Sequence, residues 1–290
     1  MESGVLADPL DPPCEVLAPD GAAAAAPIVF ASPHSGDVYP PVFLAAARID
    51  ALSLRSSEDA FIDELFAAAP RLGLPLLRAR FPRAYVDVNR GPWELDPQMF
   101  EDRLPGYVDR ASPRAAAGLG TIARIVANGA EIYTGKLRFA EVRHRIERLY
   151  MPYHARLDML LDAAHATWSR CLLVDCHSMP SLAGLAAGPQ MDFVLGDRHG
   201  RSCDQDLVAL VESVLVDLGY RVARNAPYAG GYTTARHGRP DARRHALQIE
   251  INRALYMDER RLARHAHFPV LAEHLARLIT ALREAMGQAR

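Results

Sequence analysis

Two histidines lie where apolar, strand-like runs give out: His34 in PIVFASPHSG (27–36) and His177 in CLLVDCHSMP (171–180). In open α/β sheets ligands collect in the crevice beyond the carboxyl ends of the strands, so imidazoles delivered there are placed for metal binding or proton transfer. Two histidines and one carboxylate make an open zinc set, in which three protein ligands leave a fourth position for water or substrate. For the oxygen ligand the sequence offers Asp59, at the start of a helix expected after the first histidine strand. Neighbouring Glu58 is its rival, and Asp37, three residues beyond His34, is a third candidate by spacing. An acid at a helix start also has a plain structural use, complementing the positive end of the helix dipole.

A fourth acid sits inside a strand-like run. In QIEIN (248–252), Ile249 and Ile251 face one side of a sheet while Gln248, Glu250 and Asn252 face the other. A carboxylate there needs a partner, which could be a structural arginine. Near a metal, Glu250 could take a proton from water and return it to a leaving amine. Arg83, Asn89 and Arg90 flank AYVDVN, and arginine forks suit carboxylates and oxyanions, so an anionic substrate is expected. Arg236 and Arg239, in a glycine-bearing loop ahead of the Glu250 strand, could form a second anion clamp; Arg145 and His154, in RIERLYMPYH (145–154), are weaker candidates.

These residues need strands that end along one edge and helices that hold them there. Strands are expected at 28–32, 75–80, 84–88, 171–177, 192–195, 220–224 and 246–251. Helices are expected at 42–47, 58–69, 204–218 and 268–286, with short ones within 112–126. The periodic stretch 139–168 reads as one kinked helix or two in succession, because Pro152 interrupts it. Residues 181–188 read as a small-residue loop and 225–244 as a long polar one. This alternation implies an α/β three-layer sandwich: a central mixed, mostly parallel sheet with helices on both faces. Residues 1–26 are expected to be an irregular lead-in, and 27–290 a single domain.

Composition narrows the function classes. Half of the 290 residues are hydrophobic and the formal net charge is −2, as in a soluble globular protein. The arginines are scattered and offset by 35 acids, so no nucleic-acid partner is expected. The stretch 1–26 has no Lys or Arg to make a signal peptide's basic region, and no apolar run suits a bilayer, so no membrane association is expected. Cys14, Cys171, Cys176 and Cys203 show no C-x-x-C spacing, and Cys171 and Cys176 would face opposite sides of one strand, which suits a reducing, cytoplasmic setting.

Taken together, SPHSG at Ser32, EDAFIDEL at Glu58, YVDVNR ending at Arg90, RIERLYMPYH, DCHSMP at Asp175, GGYTTARHGRP at Gly230 and QIEINRALYMDE ending at Glu259 resemble the N-formylglutamate amidohydrolase family. That family is related to the zinc carboxypeptidase and aspartoacylase group. The resemblance implies a zinc carboxypeptidase/phosphorylase-hydrolase-like fold and zinc, or another divalent metal, on His34, Asp59 and His177. It implies Glu250 as general base, Arg83 polarising the scissile carbonyl, and Asn89 and Arg90 on a substrate carboxylate. The wider group usually places its acid three residues after the first histidine, where this chain has Asp37. The implied reaction, of histidine-degradation type, cleaves N-formyl-L-glutamate, a small anionic N-acyl amino acid, to formate and L-glutamate. A zinc amidase or carboxypeptidase acting on another acyl amino acid or peptide, and a carboxylate-binding protein without turnover, are the alternatives.

Overall fold

The computed structural model describes residues 8–18, 24–181 and 190–288. Seven segments pair into one sheet: β1 (Cys14–Leu17), β2 (Ile28–Ser32), β3 (Leu76–Ala79), β4 (Cys171–Met179), β5 (Phe193–Gly196), β6 (Val222–Arg224) and β7 (Arg244–Asn252), in the order β1-β3-β2-β4-β7-β5-β6. The β1/β3 and β5/β7 pairs are antiparallel and the remaining neighbours run parallel. The mixed, mostly parallel sheet expected from the sequence is thus present.

Alternation along the central strands builds two cores. Val29, Ala31, Cys171 and Leu173 pack on one face with Phe43 and the helical stretch 139–168. Ile28, Phe30, Leu172, Val174 and Cys176 pack on the other, against helices Gln205–Asp217 and Phe268–Gly287. Those helices present Val208, Val211 and Leu215, and Leu271, Leu275, Leu278 and Leu282, at three- and four-residue spacing. Cys171 and Cys176 do face opposite sides, and all four cysteines are free. No helix among the described residues is long and apolar enough to cross a membrane.

Several local expectations are corrected. Within the supposed irregular lead-in, Cys14–Leu17 forms an edge strand whose polar main chain is satisfied by β3. The expected strand at 84–88 is a run of turns: Tyr85 and Val86 donate to the Pro82 carbonyl, and Asp87 N–H to that of Thr121. The expected helix at 58–69 is two short ones, Ile62–Leu65 and Ala68–Arg71. Its first turn is displaced because Asp59 N–H donates 3.0 Å to the His34 carbonyl and Phe61 takes a left-handed conformation at φ 65°. The loop at 225–244 contains helix Tyr232–His237. The stretch 139–168 is continuous, with Phe139–Arg145 and Met151–Trp168 joined by a π-helical turn at Ile146–Tyr150. The loop expected at 181–188 lies, beyond Ser181, outside the described residues.

Just past β2, the loop carrying His34 presses against the main chain beyond β3, and Val38 N–H donates 3.0 Å to the Arg80 carbonyl. A Cβ on Gly36 would overlap the Phe81 carbonyl oxygen, a backbone atom that cannot swing aside. Gly36→Ala is therefore expected to destabilise the protein by about 2 kcal/mol or more, read as a lowered midpoint in chemical denaturation.

Candidate active site

Parallel pairing brings the ends of β2, β4 and β7 to one edge, with His177 in register with Glu250. His34, Asp59 and His177 converge there, all buried. Asp59 Oδ2 lies 3.3 Å from His34 Nδ1 and 3.0 Å from His177 Nδ1, and the three residues' donor atoms lie within 4.8 Å of one another. Donors about 2.0–2.1 Å from a tetrahedral zinc stand roughly 3.3 Å apart, so this spacing fits a shared ion.

The outward-turned atoms of the set are also held. His34 Nε2 lies 2.8 Å from Asp87 Oδ1; with that nitrogen protonated, the Nδ1 lone pair points at the cluster. His177 Nε2 lies 3.0 Å from Asp175 Oδ2, close enough for charge attraction but out of line for a hydrogen bond. Asp59 Oδ1 accepts from Ser178 Oγ at 2.8 Å and lies 3.4 Å from Arg253 Nη2, which leaves Oδ2 for the histidines or an ion. Arg253 also donates to Ser178 Oγ and to the Ser56 and Glu58 carbonyls, tying the Asp59 turn to the end of β7.

The charges respond to this packing. Burial alone would raise the Asp59 carboxyl, but hydrogen bonds from His177 and His34 hold it well below the usual range. Burial would lower His177, yet Asp175 and Asp59 hold it well above an ordinary histidine. Burial also pushes Glu250 up to about 8, with the Asp59 charge adding and His177 opposing. Gln248 Nε2 donates 2.8 Å to Glu250 Oε1, fixing the carboxylate against the edge of the cluster.

A cavity of about 540 Å³ opens over the cluster, walled in part by Arg83, Asn89, Arg90, His177 and Glu250. Arg83 Nε donates 2.9 Å to Asp87 Oδ2, leaving its terminal nitrogens for a ligand. Arg90 Nε and Nη1 donate to the Leu119 and Asn89 carbonyls, and its Nη2 stands 3.9 Å from Asp87 Oδ2, beyond hydrogen-bond reach and open to a ligand. Asn89 Oδ1 accepts from Thr233 N–H at 2.9 Å, and any side chain at Gly231 would collide with the Asn89 amide. From below, Tyr150 OH donates to the Arg90 carbonyl and His154 Nε2 lies 2.9 Å from the Val88 carbonyl. The π-helical turn, through Tyr150, and the helix after it, through His154, thus hold the Asn89–Arg90 segment in place.

Other sequence candidates fall elsewhere. Glu58 accepts from Tyr39 OH and Arg55, and exposed Asp37 shares a separate cavity with it, so neither reaches the histidines. Arg236 and Arg239 do not line the cavity: Arg236 pairs with Asp158 at 2.6 Å, and Arg239 pairs its main chain with Arg244. Helix formation at Tyr232–His237 turned Arg236 toward the 151–168 helix. Arg145 is a structural cation, 4.2 Å from the Tyr85 ring centre. His154 supports the cavity wall without entering it. Sequence reading missed Asp87, Asp175, Ser178 and Arg253. Asp175 carried a signal, an acid two residues before His177 on the same strand face.

The sequence model of the N-formylglutamate amidohydrolase family matches residues 26–257. The chain is 31% identical over 264 residues to the N-formylglutamate deformylase of Pseudomonas aeruginosa, covering 90% of this chain and 92% of that protein. It is 29% identical over 237 residues to the enzyme of the same name from Pseudomonas putida, covering 80% and 82%. Among solved structures it resembles N-formylglutamate amidohydrolase from Ralstonia eutropha JMP134, with a TM-score of 0.89, 40% identity, and coverage of 94% of this chain and 98% of that one. The fold also resembles that of an Agrobacterium tumefaciens gene product, with a TM-score of 0.67 at 20% identity and coverage of 94% of each chain. With a buried His-Asp-His cluster at the strand ends and a glutamate in register beside it, the chain belongs to the N-formylglutamate amidohydrolase family.

Proposed function

We propose that this chain hydrolyses the amide of N-formyl-L-glutamate to formate and L-glutamate, a reaction of histidine degradation, using zinc held by His34, Asp59 and His177. The observation that carries the reading is the Asp59 oxygen standing 3.0 and 3.3 Å from the two Nδ1 atoms, with its other oxygen held by Ser178 and His34 Nε2 held by Asp87. Zinc bound there supplies a Lewis acid that polarises a carbonyl and lets water ionise near neutral pH. The relatives' names supply the acyl amino acid.

Glu250 accepts the proton of the attacking water. A divalent cation nearby favours its charged form, so a carboxylate that burial alone would keep protonated becomes a competent base. The free nitrogens of Arg83 face the oxygen that gains charge as the formyl carbon becomes tetrahedral. As the carbon–nitrogen bond breaks, Glu250 returns the proton to the amine. Asn89 and Arg90 hold the α-carboxylate and thereby orient the amide. Burial of His177 and Glu250 limits solvent competition for these charges. The four free cysteines support a reducing, cytoplasmic setting.

Glu250→Gln is expected to retain zinc by elemental analysis and to lose about 10²–10⁴-fold in formate release; a variant with wild-type turnover would remove Glu250 from the chemistry. Asp87→Asn takes the carboxylate from His34 Nε2 and is expected to weaken zinc affinity by about 10–100-fold, measured by competition with a coloured chelator. Stability of the chelator-treated protein carries a further signature. With Glu250 raised to about 8 in the fold, its neutral form stabilises fully below the unfolded value, and that stability is lost as pH rises to 8. Glu250→Gln should therefore melt above the wild type at pH 8, with the gap closing towards pH 5.

A further inference from the structure

The cavity wall holds a cation that the mechanism above does not use. Arg114, on the short helix Pro113–Ala116, lines the same cavity as Arg83, Arg90 and Glu250. Among the described residues its guanidinium makes no hydrogen bond or ion pair, whereas Arg83 and Arg253, on the same wall, are each tied to an acid. Leu119, Gly120 and Ala123, which follow it closely in the chain, also line the cavity and carry no charge. The helix holding it is anchored, since Ser112 Oγ accepts from Ala115 N–H and donates 2.9 Å to Glu94, whose other oxygen accepts from Gly91 N–H. Arg114 is therefore attached to the segment that follows Arg90.

Arg90 and Arg114 are also close enough to feel each other. Burial holds Arg90 below the ordinary arginine range; Asp87 opposes this, and the charges of Arg83 and Arg114 add to it. Arg114 is exposed, so water meets its guanidinium in the free protein, but two neighbouring guanidiniums repel one another and an anion between or upon them relieves that repulsion. A single carboxylate satisfies Arg90 and Asn89. The second cation calls for a second anion on the same ligand.

We infer that Arg114 is the specificity-determining residue for the distal carboxylate, so that the cavity selects N-acyl derivatives of a dicarboxylic amino acid over those with a neutral side chain. This rests on the proposed amidohydrolase reading for its substrate and adds to it the origin of selectivity. Loss of one charge-assisted pair corresponds to about 10–100-fold in a specificity ratio. A lysine at 114 keeps the charge without the fork and restores part of the ratio.

The test compares kcat/KM for N-formyl-L-glutamate with that for N-formyl-L-glutamine, using the zinc-loaded wild type, Arg114→Ala and Arg114→Lys. Support is a glutamate-over-glutamine ratio that drops about 10–100-fold in the alanine variant and partly recovers in the lysine variant. An unchanged ratio, including equal losses on both substrates, overturns the inference and makes Arg114 a structural or α-carboxylate residue. If the wild type releases formate from neither compound, the functional reading fails on its own. Calorimetry with glutarate and butyrate then decides the remaining question: glutarate binding that is tighter in the wild type and not in Arg114→Ala upholds the dicarboxylate site, and equal binding in both proteins ends it.

Discussion

A single buried carboxylate has to serve two imidazoles. Asp59 has no access to water, so its charge persists only because His34 and His177 press on one oxygen and Ser178 and Arg253 on the other. Burying charge without such partners costs several kcal/mol per ion, and removing one partner leaves the rest uncompensated. The two imidazoles in turn lean on Asp87 and Asp175, so acids and bases alternate outward from the cluster. A divalent cation fits the centre of such a set better than protons do. It would meet all three donors at once and would require neither histidine to carry a charge.

The fold creates this crowding through strand register and one broken helix. Parallel β2, β4 and β7 end together, which is why residues as distant in the chain as His34, His177 and Glu250 share an edge. Asp59 reaches them because the chain doubles back after the short helix Ala51–Arg55: its N–H caps the His34 carbonyl, and the left-handed Phe61 postpones the next helix until Ile62. A regular helix from residue 58 would carry Asp59 along its own axis instead. Beneath the Asn89–Arg90 segment, the π-helical turn at Ile146–Tyr150 and His154 do comparable work, supplying donors to carbonyls that turn geometry leaves unpaired.

What could be read from the chain alone follows the same division. His34, His177 and Glu250 were legible because alternation within an apolar strand fixes which residues share a face and where the strand stops. Asp59 was legible only as one of three acids, since its selection depends on a tertiary hydrogen bond to the His34 carbonyl. Asp87 was hidden in YVDVNR, which has the composition of a strand and folds as turns because Pro82 and Thr121 take its backbone donors. Arg236 and Arg239 looked like an anion clamp from charge density, but Asp158, 78 residues earlier, claims Arg236. Arg114 carried no pattern at all; only the closing of the cavity brings it beside Arg90.

Zinc-edge X-ray absorption on the loaded protein measures the central claim most directly. Two imidazole nitrogens and one carboxylate oxygen at about 2.0–2.2 Å, with one further light scatterer, are expected. His177→Ala should remove one imidazole from that shell. A shell containing sulfur, or one that keeps both imidazoles in the variant, would place the metal elsewhere and contradict the assignment of His34, Asp59 and His177.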